Sequence, residues 1–151
     1  LIIYLVMNIS VFSFILMMKR KDEYCENISD LAGLYKQNPF YAILIALIMF
    51  SLAGIPPLAG FFGKFYIFMS AVKNDLYLLA IVGILASVVS AFYYLRIVKI
   101  IYFDEPSEKF DEFNSSSLNL LFFVSSAVVI LFFVFPSPII NIGNYAANTF
   151  F

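Results

Sequence analysis

Lys64 is the one charged residue in the apolar run 40–72, and it follows the paired prolines Pro56 and Pro57 within FSLAGIPPLAGFFGKFY (50–66). An ammonium in the bilayer interior costs roughly 2.5 to 3.5 kcal/mol on insertion scales, so its presence needs an offsetting role or an escape route. One route is snorkelling. Lys64 precedes Val72 by about two helical turns, roughly 12 Å, a long reach unless the second half of the run is displaced. The chemical alternative is a proton relay. Desolvation disfavours a charged ammonium, so a lysine in a low-dielectric setting can take up and release a proton near neutral pH, whereas arginine stays charged.

The elements that position Lys64 cannot be one continuous helix. Pro56 and Pro57 remove two consecutive backbone donors, and each pushes the residue before it out of the α region. The halves 40–55 and 58–72 would cover roughly 24 and 22 Å as helices. Together they exceed a hydrocarbon core of roughly 30 Å and must be offset, tilted or doubled back. Backbone groups freed at such a break need a cavity lined by protein or water, the setting in which transporters place ion sites. Gly54, Gly60 and Gly63 surround the break and permit close approach and unusual backbone angles.

The whole chain is consistent with a membrane setting. Of its 151 residues 63% are hydrophobic and 13% charged, with a net charge of −1 and a mean hydropathy of +0.95. That composition predicts an all-α integral membrane protein and leaves no basic patch for nucleic acid. A single cysteine, Cys25, and no histidine provide no ligand set for haem, an iron–sulfur cluster or zinc. No cofactor is expected in this chain, and any electron transfer belongs to another subunit. The sequence opens LIIYLVMNIS without Met or a basic flank, so it is expected to be a fragment whose first span begins upstream.

Four spans within a single membrane domain, 1–151, are predicted. The first, 1–18, ends at the cations Lys19, Arg20 and Lys21, and its Asn8, Ser10 and Ser13 are expected to make helix–helix hydrogen bonds. Loop 19–39 is of mixed charge and has room for one short interfacial helix. The broken span 40–72 follows, then a tight polar turn at 73–76 and a long helix 77–103. Loop 104–117 leads to a uniformly apolar closing helix, 118–135, that is expected to face lipid. It stops at Pro136 and Pro138, before an uncharged tail.

Gly83, Ser87, Ser90 and Tyr94 share one stripe of the long helix, either a close-packing seam or a hydrated face. Beyond them, Lys99 is an interface anchor, whereas Arg96 either snorkels or pairs with an acid from another helix. Lys19, Arg20, Lys21, Lys36, Arg96, Lys99 and Lys109 fall on one side of four alternating crossings, with Lys73 opposite. By the positive-inside bias the side with seven cations is cytoplasmic, or facing the matrix in an organelle.

SLAGIPPLAGFFGKFY (51–66) followed by AFYYLRIVKIIYFDEP (91–106) closely resembles the subunit N family of respiratory complex I, NADH:quinone oxidoreductase, whose mitochondrial counterpart is NADH dehydrogenase subunit 2. The resemblance extends over essentially the whole chain. It implies the last four helices of a fourteen-helix antiporter-like subunit, with the broken helix in the second of two inverted repeats. It places Lys64 on the proton path of the second half-channel, at the family's GFxGK motif, with Pro56 and Pro57 at the discontinuous helix. The implied partners are the other membrane subunits of complex I in the bacterial inner membrane, or alternatively the mitochondrial one. NADH, FMN, iron–sulfur clusters and quinone would lie in partner subunits. Antiporter subunits of multisubunit sodium/proton antiporters carry a similar PPLxGFxGK segment, and the stretch 92–106 favours subunit N.

Overall fold

A computed structural model describes residues 2–20, 23–106, 110–111, 115–134 and 137. Six α-helices account for most of them: α1 (Ile2–Met17), α2 (Leu34–Gln37), α3 (Pro39–Ala53), α4 (Ala59–Lys73), α5 (Tyr77–Phe103) and α6 (Ser116–Val134). The predicted turn and long helix fall where expected, and the broken span divides into α3 and α4. Among the described residues α5 alone is both long and apolar enough to cross a membrane, whereas α1, α3 and α6 are apolar but shorter. Lys21, Lys109, Pro136, Pro138 and the uncharged tail lie outside the described residues.

α3 is the central helix because its apolar sequence has no polar side to turn outward. It packs against α1, α4, α5 and α6, with Ala42, Ile45, Ala46, Ile48 and Met49 buried. α1 lies along α6, where Phe14 and Phe122 meet at 5.5 Å and Tyr41 of α3 stacks on Phe122 at 5.7 Å. The Ser10 and Ser126 hydroxyls bond at 2.8 Å between these two helices, fully buried, which is the helix–helix role expected of Ser10.

α6 differs from the expectation of a helix that faces only lipid. Phe122, Ser125, Ser126, Val129 and Phe132 are buried. The physical reason is the pair Ser125 and Ser126: their hydroxyls donate to carbonyls one turn back, and Ser126 also meets Ser10. Such polar groups are better satisfied against another helix than against lipid. By contrast, much of α5 is uncovered, with Leu78, Leu79, Val82, Leu85, Val88 and Val89 all exposed.

The two polar loops close one end of the bundle together. Residues 19–20 and 23–24 form a two-rung antiparallel ladder, a hairpin that the sequence pattern did not predict because strands this short carry no periodicity. A 3₁₀ turn (Ile28–Leu31) and α2 supply the expected short helical segment of this loop. Arg20 donates to the Asp30 carboxylate at 3.1 Å and to the Asp30 carbonyl at 2.8 Å, and its guanidinium lies 4.7 Å from the Phe110 ring centroid. The Asp111 N–H donates to the Lys19 carbonyl at 2.9 Å, and the Gly33 N–H to the Ile100 carbonyl at 3.2 Å. Gly33 (φ +65°) abuts Pro106 so closely that a Cβ there would lie 2.5 Å from the proline Cα.

Cys25 is held in this clasp, its N–H bonded to the Met18 carbonyl at 3.0 Å. Burial pushes its thiol above the usual range, and Asp30 and Asp111 act in the same direction against Arg20. Because the thiolate is the reactive form, the curve of maleimide alkylation rate against pH should have its midpoint displaced upward in the folded protein relative to the urea-denatured chain. Coincident folded and denatured curves would contradict this placement.

Candidate functional site: a lysine at the helix break

The break is built from backbone hydrogen bonds at both of its edges. α3 ends as Gly54 turns left-handed (φ +88°). The Gly54 N–H reaches the Ser51 carbonyl at 3.0 Å, and the Ile55 N–H reaches the Phe50 carbonyl at 3.1 Å, the paired bonds of a Schellman end. Pro56 and Pro57 follow and exclude any continuation. α4 then starts beside the last turn of α3, not in line with it. The Gly60 N–H, at the second position of α4, donates to the buried Ser51 hydroxyl at 3.0 Å. A Cβ on Gly60 would stand 1.8 Å from the Ser51 carbonyl oxygen, so the two backbones touch.

Lys64 lies one turn beyond Gly60 on the same face of α4. Its Nζ donates to the Ala53 carbonyl at 3.1 Å. Ala53 is the last residue of α3, so the ammonium meets the partially negative end of that helix. The aliphatic stem passes over Gly54, where a Cβ would approach Lys64 Cδ to 3.0 Å. Sequence left two fates open for this side chain, and its contact is with the break, not with the far end of α4.

Two cavities meet at Lys64. One, of about 430 Å³, is walled by Phe61, Phe65, Phe68 and Val88 and is largely apolar. The other, of about 510 Å³, lies between α1, α3, α4 and α5 and takes in Ser51, Gly60, Gly63, Ser87, Ser90 and Tyr94. Lys64 and Ser87 border both. The stripe on α5 therefore does two things along its length. At Gly83, a Cβ would lie 2.7 Å from the Phe68 ring, which is the close-packing seam. From Gly83 itself to Tyr94 the stripe also lines the more polar cavity.

Arg96 is not brought to this site. It is exposed, borders neither cavity, and makes no ion pair among the described residues. Lys99, nearer the end of α5, pairs with Asp104 just beyond the helix, as an interfacial anchor would. Gly63 borders the second cavity with nothing within 4 Å of a Cβ, so its smallness leaves room and is not forced by a neighbour. Sequence reasoning missed Ser51. No local pattern marks it, because the N–H that it accepts lies nine residues on, in another helix. Among the described residues no cluster of histidine, cysteine or acidic side chains could hold a metal ion.

An all-helical membrane protein with a discontinuous helix and a lysine docked at the break is the class that these features define. The chain belongs to the NADH:quinone oxidoreductase/Mrp antiporter membrane family, whose model matches residues 1–90. It is 58% identical to the NADH-quinone oxidoreductase subunit N of Parvibaculum lavamentivorans over 148 residues, which cover 98% of this chain and 31% of the relative. It is 51% identical to that of Rhodospirillum rubrum over 148 residues, 98% of this chain and 30% of the relative. With that of Paramagnetospirillum magneticum the identity is 50% over 151 residues, 100% of this chain and 31% of the relative. The chain thus spans about a third of the length of the curated relatives it matches.

The contact between Gly60 and Ser51 leaves no space for a side chain, and overpacking of this kind costs about 1–3 kcal/mol or more. Gly60→Val is therefore expected to lower sharply the amount of folded protein in membranes, measured by quantitative immunoblot after mild detergent extraction. Gly63→Ala is expected to accumulate as the unsubstituted protein does. Equal accumulation of all three would contradict the geometry.

Proposed function

We propose that this chain is part of a proton-translocating membrane subunit of NADH:quinone oxidoreductase, with Lys64 as the residue that carries the proton. The observation that supports this most directly is the Lys64 ammonium on the Ala53 carbonyl, at the junction of two cavities and the end of a broken helix. A charged ammonium binds a carbonyl roughly twice as strongly as a neutral donor does. Uptake of a proton favours the docked position at Ala53, and its loss weakens that bond and frees the amine toward Ser87, Ser90 and Tyr94. Transfer along this polar wall needs water, which the freed backbone groups of the break can help to hold.

In this reading the chain forms one membrane domain with four crossings, 1–18, 40–72, 77–103 and 118–135, in the bacterial inner membrane. The clasped loops with Lys19, Arg20 and Lys36, and the end of α5 with Lys99, face the cytoplasm, and Lys73 lies on the opposite side. NADH oxidation at FMN, electron passage through iron–sulfur clusters and quinone reduction take place in partner subunits. This chain itself holds no cofactor, binds no nucleic acid, and contacts lipid and the other membrane subunits of the complex.

The family also includes Mrp antiporters, and a sodium/proton antiporter subunit is the second reading. Co-purification with flavin and iron–sulfur subunits favours the first. Sodium-driven proton movement without NADH favours the second. Within the complete subunit in assembled, membrane-embedded complex, Lys64→Ala should reduce NADH-driven proton movement and coupled quinone reduction on the order of a hundredfold. Lys64→Arg should fail as well, because guanidinium does not release its proton. Wild-type turnover and pumping in both variants would leave Lys64 as part of a passive anchor.

A further inference from the structure

The two halves of the broken helix are joined by two rungs, and they differ in kind. In one, a buried hydroxyl accepts from a buried backbone N–H: Ser51 Oγ and Gly60 N, at 3.0 Å. In the other, a half-buried side-chain ammonium donates to a backbone carbonyl: Lys64 Nζ and Ala53 O, at 3.1 Å. Ser51 precedes Ala53 by two residues on α3, and Gly60 precedes Lys64 by one turn on α4. The first rung therefore fixes the offset of the two helices that the second must span. Ser51 also acts on the other edge of the break, where its carbonyl accepts the Gly54 N–H at 3.0 Å. One residue thus ends α3 through its backbone and anchors the start of α4 through its side chain.

We propose that Ser51 is a positioning residue for proton transfer: its hydroxyl sets the start of α4 and so holds Lys64 within reach of both the Ala53 carbonyl and the polar cavity. This rests on the relay reading of Lys64. Without the hydroxyl, the buried Gly60 N–H loses its acceptor on α3, and α4 must shift or unwind by part of a turn to recover one. Either response moves the ammonium relative to Ala53. The first turn of α4 would then satisfy itself at the expense of the geometry one turn further on.

The test uses the complete complex in membrane vesicles, with NADH-driven quinone reduction and proton movement measured across pH beside the amount of assembled complex. Ser51→Ala is expected to assemble, to lower turnover about tenfold, and to displace the pH profile of turnover. Because Ser51 acts through Lys64, Ser51→Ala should add nothing further in a Lys64→Ala background. Loss of activity in Lys64→Ala together with wild-type rate and pH profile in Ser51→Ala would overturn the positioning role and leave the relay standing. Full activity in Lys64→Ala would instead remove the relay and this inference with it. If Ser51→Ala does not assemble, Ser51→Cys, close in size but a weaker acceptor, is read by the same criteria. Failure of both to assemble would assign Ser51 to folding and overturn the proposal.

Discussion

Backbone polar groups freed by a helix break cannot be left facing lipid, and at the interruption 54–58 most of them find partners within the protein. Most of the site follows from this. The Gly54 and Ile55 N–H groups fold back onto α3, Ser51 receives the first turn of α4, and Lys64 takes the carbonyl of Ala53. Each of these contacts answers a group that an unbroken helix would have paired internally. The same interruption leaves a carbonyl at the end of α3 that the Lys64 ammonium takes up.

Glycine has separate duties at three nearby positions. Gly54 supplies a left-handed turn, Gly60 permits backbone contact with Ser51, and Gly63 leaves the cavity wall open. A single explanation in terms of flexibility would miss these differences. Only the last is free of a steric demand from a neighbour within the described residues.

Much of the architecture was legible in the sequence because the signals were strong. Two prolines dictate an interruption, the turn at 73–76 is polar between long apolar runs, and Gly83, Ser87, Ser90 and Tyr94 repeat at helical spacing on one face. Lys64 stands out as the single charge between 40 and 72. What was not legible depends on distance. The acceptor for Gly60 lies nine residues earlier on another helix, and no local pattern specifies that an ordinary serine at 51 is the partner. α6 was misjudged for a related reason. Its uniform hydropathy suggests lipid all round, whereas Ser125 and Ser126 face inward and one of them meets Ser10. Arg96 was left open, and its exposure away from both cavities separates it from the lysine.

The clasp of the two loops gives the bundle mechanically unequal ends. At one end α1, α3 and α5 are tied by the Arg20 to Asp30 pair, the Phe110 ring and several loop-to-loop hydrogen bonds. At the other, α4 and α5 are connected by the short turn 74–76. Cross-links between segments distant in sequence are thus concentrated at the loop end, whereas the turn joins helices that are neighbours in the chain. Lys64 and its two cavities lie between these ends, with the α4 side of their walls reached from the turn and the α1 side tied to the clasped loops.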